Sequence, residues 1–162
     1  MAQSELTITL DEKDYQRMQS ILAGLDAVDQ ARVIQTALNE GMKVIVAEGK
    51  TNLASRNKVV TGNLKKSFSI SVNKKRAYSL GGFKRSSGKN AIGGGNHAYL
   101  VDKGTDKRWT KKGAYRGSVS KGSPNTGSKF WTDAVQTEGD VALNRLMDAV
   151  YEAVDDIMSK KK

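Results

Sequence analysis

Thr61-Gly62-Asn63-Leu64-Lys65-Lys66-Ser67-Phe68-Ser69-Ile70-Ser71-Val72 is where the chain changes its period. Before it, apolar residues recur at helical spacing. From Phe68 onward they alternate, with Phe68, Ile70 and Val72 set against serines, as a half-buried strand requires. Gly62 has no Cβ to oppose turn geometry, and Asn63 tolerates it. The Thr61 hydroxyl is suited to cap a short helical turn over Asn63–Lys66. The stretch predicts a helix-to-sheet corner.

Working backwards, Leu6, Ile8 and Leu10 alternate with threonines and read as a short strand or extended arm. Asp11 then suits an N-cap, with Glu12 and Asp14 in the first turn where the helix dipole favours acids. Tyr15, Met18, Ile21, Leu22 and Leu25 follow at helical spacing, and Gly24 marks the expected end. A second, longer helix starts from Asp26 or Asp29. Ala31, Ile34, Leu38, Gly41 and Ile45 form its expected apolar stripe, and it runs to about Leu53. Gly49 inside it costs about 1 kcal/mol relative to Ala, which leaves fraying open beyond that point.

Working forwards, Asn73-Lys74-Lys75-Arg76 is a charged turn and Ala77–Leu80 returns as a second strand. The connection is too short for a crossover, so the pair is antiparallel. A basic, glycine-rich loop runs from Lys84 to Asn96. His97-Ala98-Tyr99-Leu100-Val101 reads as a third strand, stopped at Asp102-Lys103-Gly104-Thr105. Residues 106–128 hold one branched aliphatic residue, Val119, among Lys, Arg, Gly, Ser and Thr. Such a stretch is either a long hairpin or an arm that orders on assembly. A last helix begins near Ser128, with Phe130, Trp131 and Ala134 at its start and Leu143, Leu146, Met147, Val150, Val154 and Ile157 along its stripe. Gly139 is a candidate break or bend between these two parts. Helices, antiparallel strands and a closing helix define an α+β fold. The expected organisation is a single domain over 1–162: a helical part (1–57), a sheet (58–105), an extended basic loop (106–128) and a C-terminal helix (129–158).

The chain has 162 residues, long enough for a core, and no cysteine, which excludes disulfides and thiolate metal sites. Its longest aliphatic run, Val44–Ala47, is far short of a membrane span, and residues 1–5 carry neither a basic patch nor an apolar signal core. A soluble protein made in a cytoplasm is expected. The net charge is +10 and strongly segregated. Residues 1–57 carry six Lys/Arg against eight Asp/Glu, and residues 130–162 carry four against seven. The middle, 58–129, carries seventeen against Asp102 and Asp106 alone. A basic middle between acidic ends implies a surface directed at an anionic partner.

Catalytic and cofactor chemistry find little support. A phosphate-binding P-loop needs four residues between its first Gly and a Gly-Lys pair, then Ser or Thr. Here five residues separate Gly82 from Gly88-Lys89, and Asn90 follows. His97 is the only histidine, so multi-His metal sites are excluded. Asp102 and Asp106 are weak grounds for an acid–base pair or a hard-cation site, and turn or ion-pair roles suit them better. No enzyme, cofactor or metal is expected. The constellation with functional force is basic and aromatic: Lys84, Arg85, Lys89, Lys107, Arg108, Trp109, Lys111, Lys112, Tyr115, Arg116 and Lys121 could contact phosphates or acidic protein surfaces, with rings available for stacking. No sequence-specific nucleic-acid-binding motif accompanies them.

In this order the motifs resemble those of the tail-component family of tailed phages, the small neck proteins that join head to tail. The resemblance rests on the corner Thr61, Gly62, Asn63, Leu64 and Ser67, on the Asp102-Lys103-Gly104-Thr105 element after Ala98-Tyr99, and on the aromatic Phe130 that opens the closing helix. It implies a structural virion protein of the neck, in a tail-completion or tail-terminator role, assembled in the host cytoplasm. It further implies a homo-oligomeric ring, expected to be a hexamer, that joins the head connector or head-completion proteins to the tail tube. Basic loops would then face DNA in the lumen or grip acidic protein surfaces. The alternative is a free-standing basic protein that binds nucleic acid without sequence preference.

Overall fold

The computed structural model describes residues 12–56, 62–73, 78–85, 95–104, 108–109, 111–113, 115–117 and 127–160. Helix α1 spans Glu12–Leu22, and Leu25 closes the following turn by donating its N–H to the Leu22 carbonyl at 2.9 Å. Helix α2 spans Ala27–Arg56. Asp26 caps it, its Oδ1 accepting from the N–H groups of Val28 (3.0 Å) and Asp29 (2.9 Å). The remaining elements are α3 (Asn63–Lys66), β1 (Phe68–Asn73), β2 (Tyr78–Phe83), α4 (Ala98–Lys103), β3 (Arg108–Trp109), β4 (Tyr115–Gly117) and α5 (Phe130–Lys160). The expected arm at Leu6–Leu10, the Asp11 cap and the Thr61 hydroxyl lie outside the described residues.

Helices α2 and α5 form the spine and run antiparallel. Arg56 at the end of α2 pairs with Asp133 at the start of α5, and Glu40 at mid-α2 faces Arg145. The backbones approach closely at Gly41, where a Cβ would stand 2.8 Å from the Ala142 carbonyl oxygen and 3.1 Å from Leu146 Cβ. This waist separates two apolar clusters. One gathers Met18, Leu22 and Leu25 onto Val33, Ala37, Leu146, Met147 and Val150. The other joins Met42, Ile45, Val46 and Leu53 to Phe130 and Trp131.

Strands β1 and β2 form an antiparallel hairpin with Phe68 opposite Phe83 and Asn73 opposite Tyr78. Its apolar face covers the second cluster. Phe68 and Phe83 meet edge to face at 4.7 Å between centroids, and Phe83 lies 5.6 Å from Phe130 and 5.3 Å from Trp131. The fold is α+β, with the C-terminal helix packed on the sheet as expected.

Four expectations need correction. His97–Val101 is not a third strand: Ala98–Lys103 is a helical turn and a half, opened by the His97 carbonyl, which accepts from Leu100 and Val101 N–H. The sheet therefore occupies only part of 58–105. Gly49 does not fray α2, which continues to Arg56. The missing side chain makes room for Trp131 and Phe68, whose ring atoms would lie 2.9 and 3.1 Å from a Cβ. Ala31 is exposed and Val33 takes its place in the core. Gly139 neither breaks nor ends α5, and Ala142 is buried where Leu143 was expected to be.

Candidate functional site

The corner is built as the sequence suggests, with Gly62 at the N-cap position. Gly62 itself is the N-cap of α3, at φ 71°, and its carbonyl accepts from Lys66 N–H at 3.0 Å. This left-handed backbone is one that side-chain-bearing residues adopt at a cost. Ser67 closes the turn: its N–H (3.1 Å) and its buried hydroxyl (2.7 Å) both donate to the Leu64 carbonyl. The Ser67 carbonyl then accepts from Lys84 N–H at 2.7 Å, locking the corner to the end of β2. Asn63 is half-buried and starts α3, and Leu64 packs against the aromatic cluster.

The Asp102–Gly104 element has a role that composition did not reveal. Asp102 is 3% exposed and lies across the N-terminus of α5. Its Oδ1 accepts from Trp131 N–H at 2.7 Å and Thr132 N–H at 3.2 Å, and its Oδ2 accepts from the Thr132 hydroxyl. Its backbone carbonyl takes Lys129 N–H at 2.8 Å, and Val101 takes Ser128 N–H at 2.9 Å. Asp102 is thus an N-cap supplied from another element, a carboxylate at the positive end of a 31-residue helix. Gly104, at φ 82°, ends α4 by donating to Leu100. Gly127 lies flat against this point: a Cβ there would be 2.0 Å from the Asp102 carbonyl oxygen and 2.3 Å from Gly104 N. The excursion from 105 to 126 therefore leaves and rejoins the fold at one place.

Within that excursion Arg108–Trp109 pairs antiparallel with Tyr115–Gly117, with a register shift between Arg108 and Trp109. A short antiparallel ladder stands within the stretch for which the sequence left a long hairpin or an arm open. Lys111 and Lys112 in its turn are exposed, as are Lys84 and Arg85 after β2. The side chains of Arg108, Trp109, Tyr115 and Arg116, and the residues Thr61, Lys89, Thr105, Asp106, Lys107 and Lys121, lie outside the described residues. His97 is exposed.

The sequence did not point to a groove of about 580 Å³ between α2 and α5, floored by Val33, Ala149 and Ile157. Five of its six charged residues pair with one another or with a neighbour in the groove. Arg145 donates to Glu152 at 2.8 Å and lies 3.8 Å from Glu40, and Lys160 donates to Asp156 at 2.7 Å. The Arg145 hydrogen bond holds the Glu152 carboxyl below its usual range, while Glu152 raises the Arg145 pKa. Among the described residues no group of three or more His, Asp or Glu is placed to hold a metal ion, and no helix is long and apolar enough to cross a membrane. Compared with known proteins, the chain matches no family model, no curated protein and no solved structure.

Proposed function

We propose that this chain is a structural protein of the tailed-phage neck, forming a ring that joins the head connector to the tail tube. The observation that carries this reading is the cap of α5 by Asp102. It gives the acidic-x-Gly-Thr element and the aromatic start of the closing helix a shared physical reason. The resemblance then rests on residues the fold needs: Gly62 at φ 71°, Ser67 closing its turn, Asp102 capping and Gly104 at φ 82°. The basic excursion tethered at both ends to that cap is a natural element for reaching a neighbour. The protein works by shape and contact, without catalysis or cofactor. Native mass spectrometry and electron microscopy, with the protein alone and mixed with tail tubes, test the reading. A ring that adds to a tail end is expected. A strict monomer that joins neither tail nor connector would sink it.

A second reading, a basic protein that binds nucleic acid without sequence preference, is favoured by the exposed Lys84, Arg85, Lys111 and Lys112. It requires duplex-DNA affinity that falls steeply with salt and drops when Lys107, Arg108, Lys111 and Lys112 become Ala. Absence of measurable binding near physiological salt removes it.

A further inference from the structure

The outward face of α5 is largely exposed among the described residues. Asp140, Asp148 and Asp155 share it with Val141, Tyr151 and Met158, all six within about 100° of arc at helical spacing. The three carboxylates are exposed, and among the described residues none joins an ion pair. The apolar side chains beside them are 50%, 39% and 48% exposed. Arg17 of α1 lies over the Tyr151 ring at 5.5 Å along one edge, and Arg145 on the other edge is engaged with Glu152 and Glu40. The face is amphipathic and net acidic.

The complementary basic side chains belong to segments anchored near the N-terminal end of α5. Lys84 is hydrogen-bonded to the corner, and Lys111 and Lys112 hang from the excursion rooted at Gly104 and Gly127, at the N-terminus of α5. At 1.5 Å per residue, Asp140, Asp148 and Asp155 lie about 15, 27 and 38 Å along α5 from Phe130. Those separations run from about two to about five times the screening length of about 8 Å at physiological ionic strength. The two surfaces thus attract each other weakly within one copy and strongly between two copies in contact.

We infer that the outward face of α5 receives the basic surface around Lys84, Arg85, Lys111 and Lys112 of a second copy, so that copies join head to tail. The contact is heterologous, since different patches meet, and repetition around an axis closes a ring. The inference rests on the ring reading and deepens it by naming the two surfaces that meet.

The test uses the full chain and two charge-reversed variants, D140K/D148K/D155K and K84E/R85E/K111E/K112E, followed by sedimentation velocity. Every altered side chain is exposed, and circular dichroism checks that each variant folds. The wild-type chain should assemble, with assembly weakening at about 0.5 M salt, where screening is short. Each variant alone should lose assembly by at least about tenfold in apparent affinity. An equimolar mixture should restore it, because one variant keeps the acidic face and the other keeps the basic surface. Variants that both assemble like the wild type would place the interface elsewhere and leave the ring reading standing. A wild-type chain that stays monomeric would remove both. A basic-surface variant that assembles normally but no longer retains DNA would assign that surface to nucleic acid and overturn the inference.

Discussion

Asp102 Oδ1 accepts a 2.7 Å hydrogen bond from the backbone N–H of Trp131, so a residue of one short helix caps another helix that starts 28 positions later in sequence at Phe130. The bond is buried and fixes the end of the spine on which the sheet rests. Asp102→Ala should destabilise the fold by about 1–3 kcal/mol, because it leaves helix N–H groups unsatisfied away from water. Asp102→Asn keeps an acceptor and should cost less. Urea midpoints of the wild type and the two variants check the order; three equal midpoints would mean that the cap contributes nothing.

Gly62 and the corner should be sensitive to backbone strain rather than to crowding. A Cβ at Gly62 meets nothing within 4 Å, but φ is 71°. Gly62→Ala is expected to cost about 1–2 kcal/mol, and Gly62→Asn less, since Asn visits this conformation more readily. Thermal melts of both variants decide it.

Two helical glycines should respond oppositely to the same substitution. Gly41→Ala pushes a methyl against the Ala142 carbonyl and Leu146, so the α2–α5 waist must open. Overpacking of this kind costs about 1–3 kcal/mol and outweighs the gain in helix propensity. Gly139→Ala meets nothing within 4 Å in mid-helix and should stabilise by about 0.5–1 kcal/mol. Chemical denaturation of the pair is the measurement, and the contrast in sign is the point.

Phe130 is fully buried among Phe68, Phe83 and Met42. Phe130→Ala should cost about 3–5 kcal/mol, the range for emptying an aromatic site that cannot collapse. A loss under 1 kcal/mol by urea titration would show that the sheet resettles onto the helices.

The Arg145–Glu152 pair sets a small pH dependence. Glu152 has its pKa lowered, first by the Arg145 hydrogen bond. Its contribution is present above the ordinary carboxylate range and lost as pH falls through the lowered value. The raised Arg145 pKa lies too high to matter near neutrality. Glu152→Gln should lower stability slightly at pH 7, the loss kept small because both partners face solvent, and the difference from the wild type should vanish as pH falls below ~4.3, the ordinary glutamate value. Melting temperatures across that acid range compare the two chains.

What the residues settle locally was legible in order. Asp26 was a candidate cap for α2 and is one, since a cap depends on N–H groups two or three positions away. The alternation from Phe68 to Val72 and the short basic turn after it required an antiparallel hairpin. The charge segregation is likewise a property of the chain, as are the exposed lysines it produces. The Ala98–Lys103 segment misled because a short apolar run suits a strand or a buried helical turn equally, and periodicity cannot separate them at that length.

Only the tertiary structure decided where distant groups meet. Gly49 looked like a weak point in a helix and is a seat for Trp131 and Phe68. Asp102 looked like a turn residue and holds the start of α5. Gly127 lies against Gly104, closing the basic excursion on itself. Spacing and caps record interactions within a turn or two of the chain. Packing between α2, α5 and the hairpin depends on side chains brought together by the collapse of apolar surface, and that pairing is written in no single stretch of sequence.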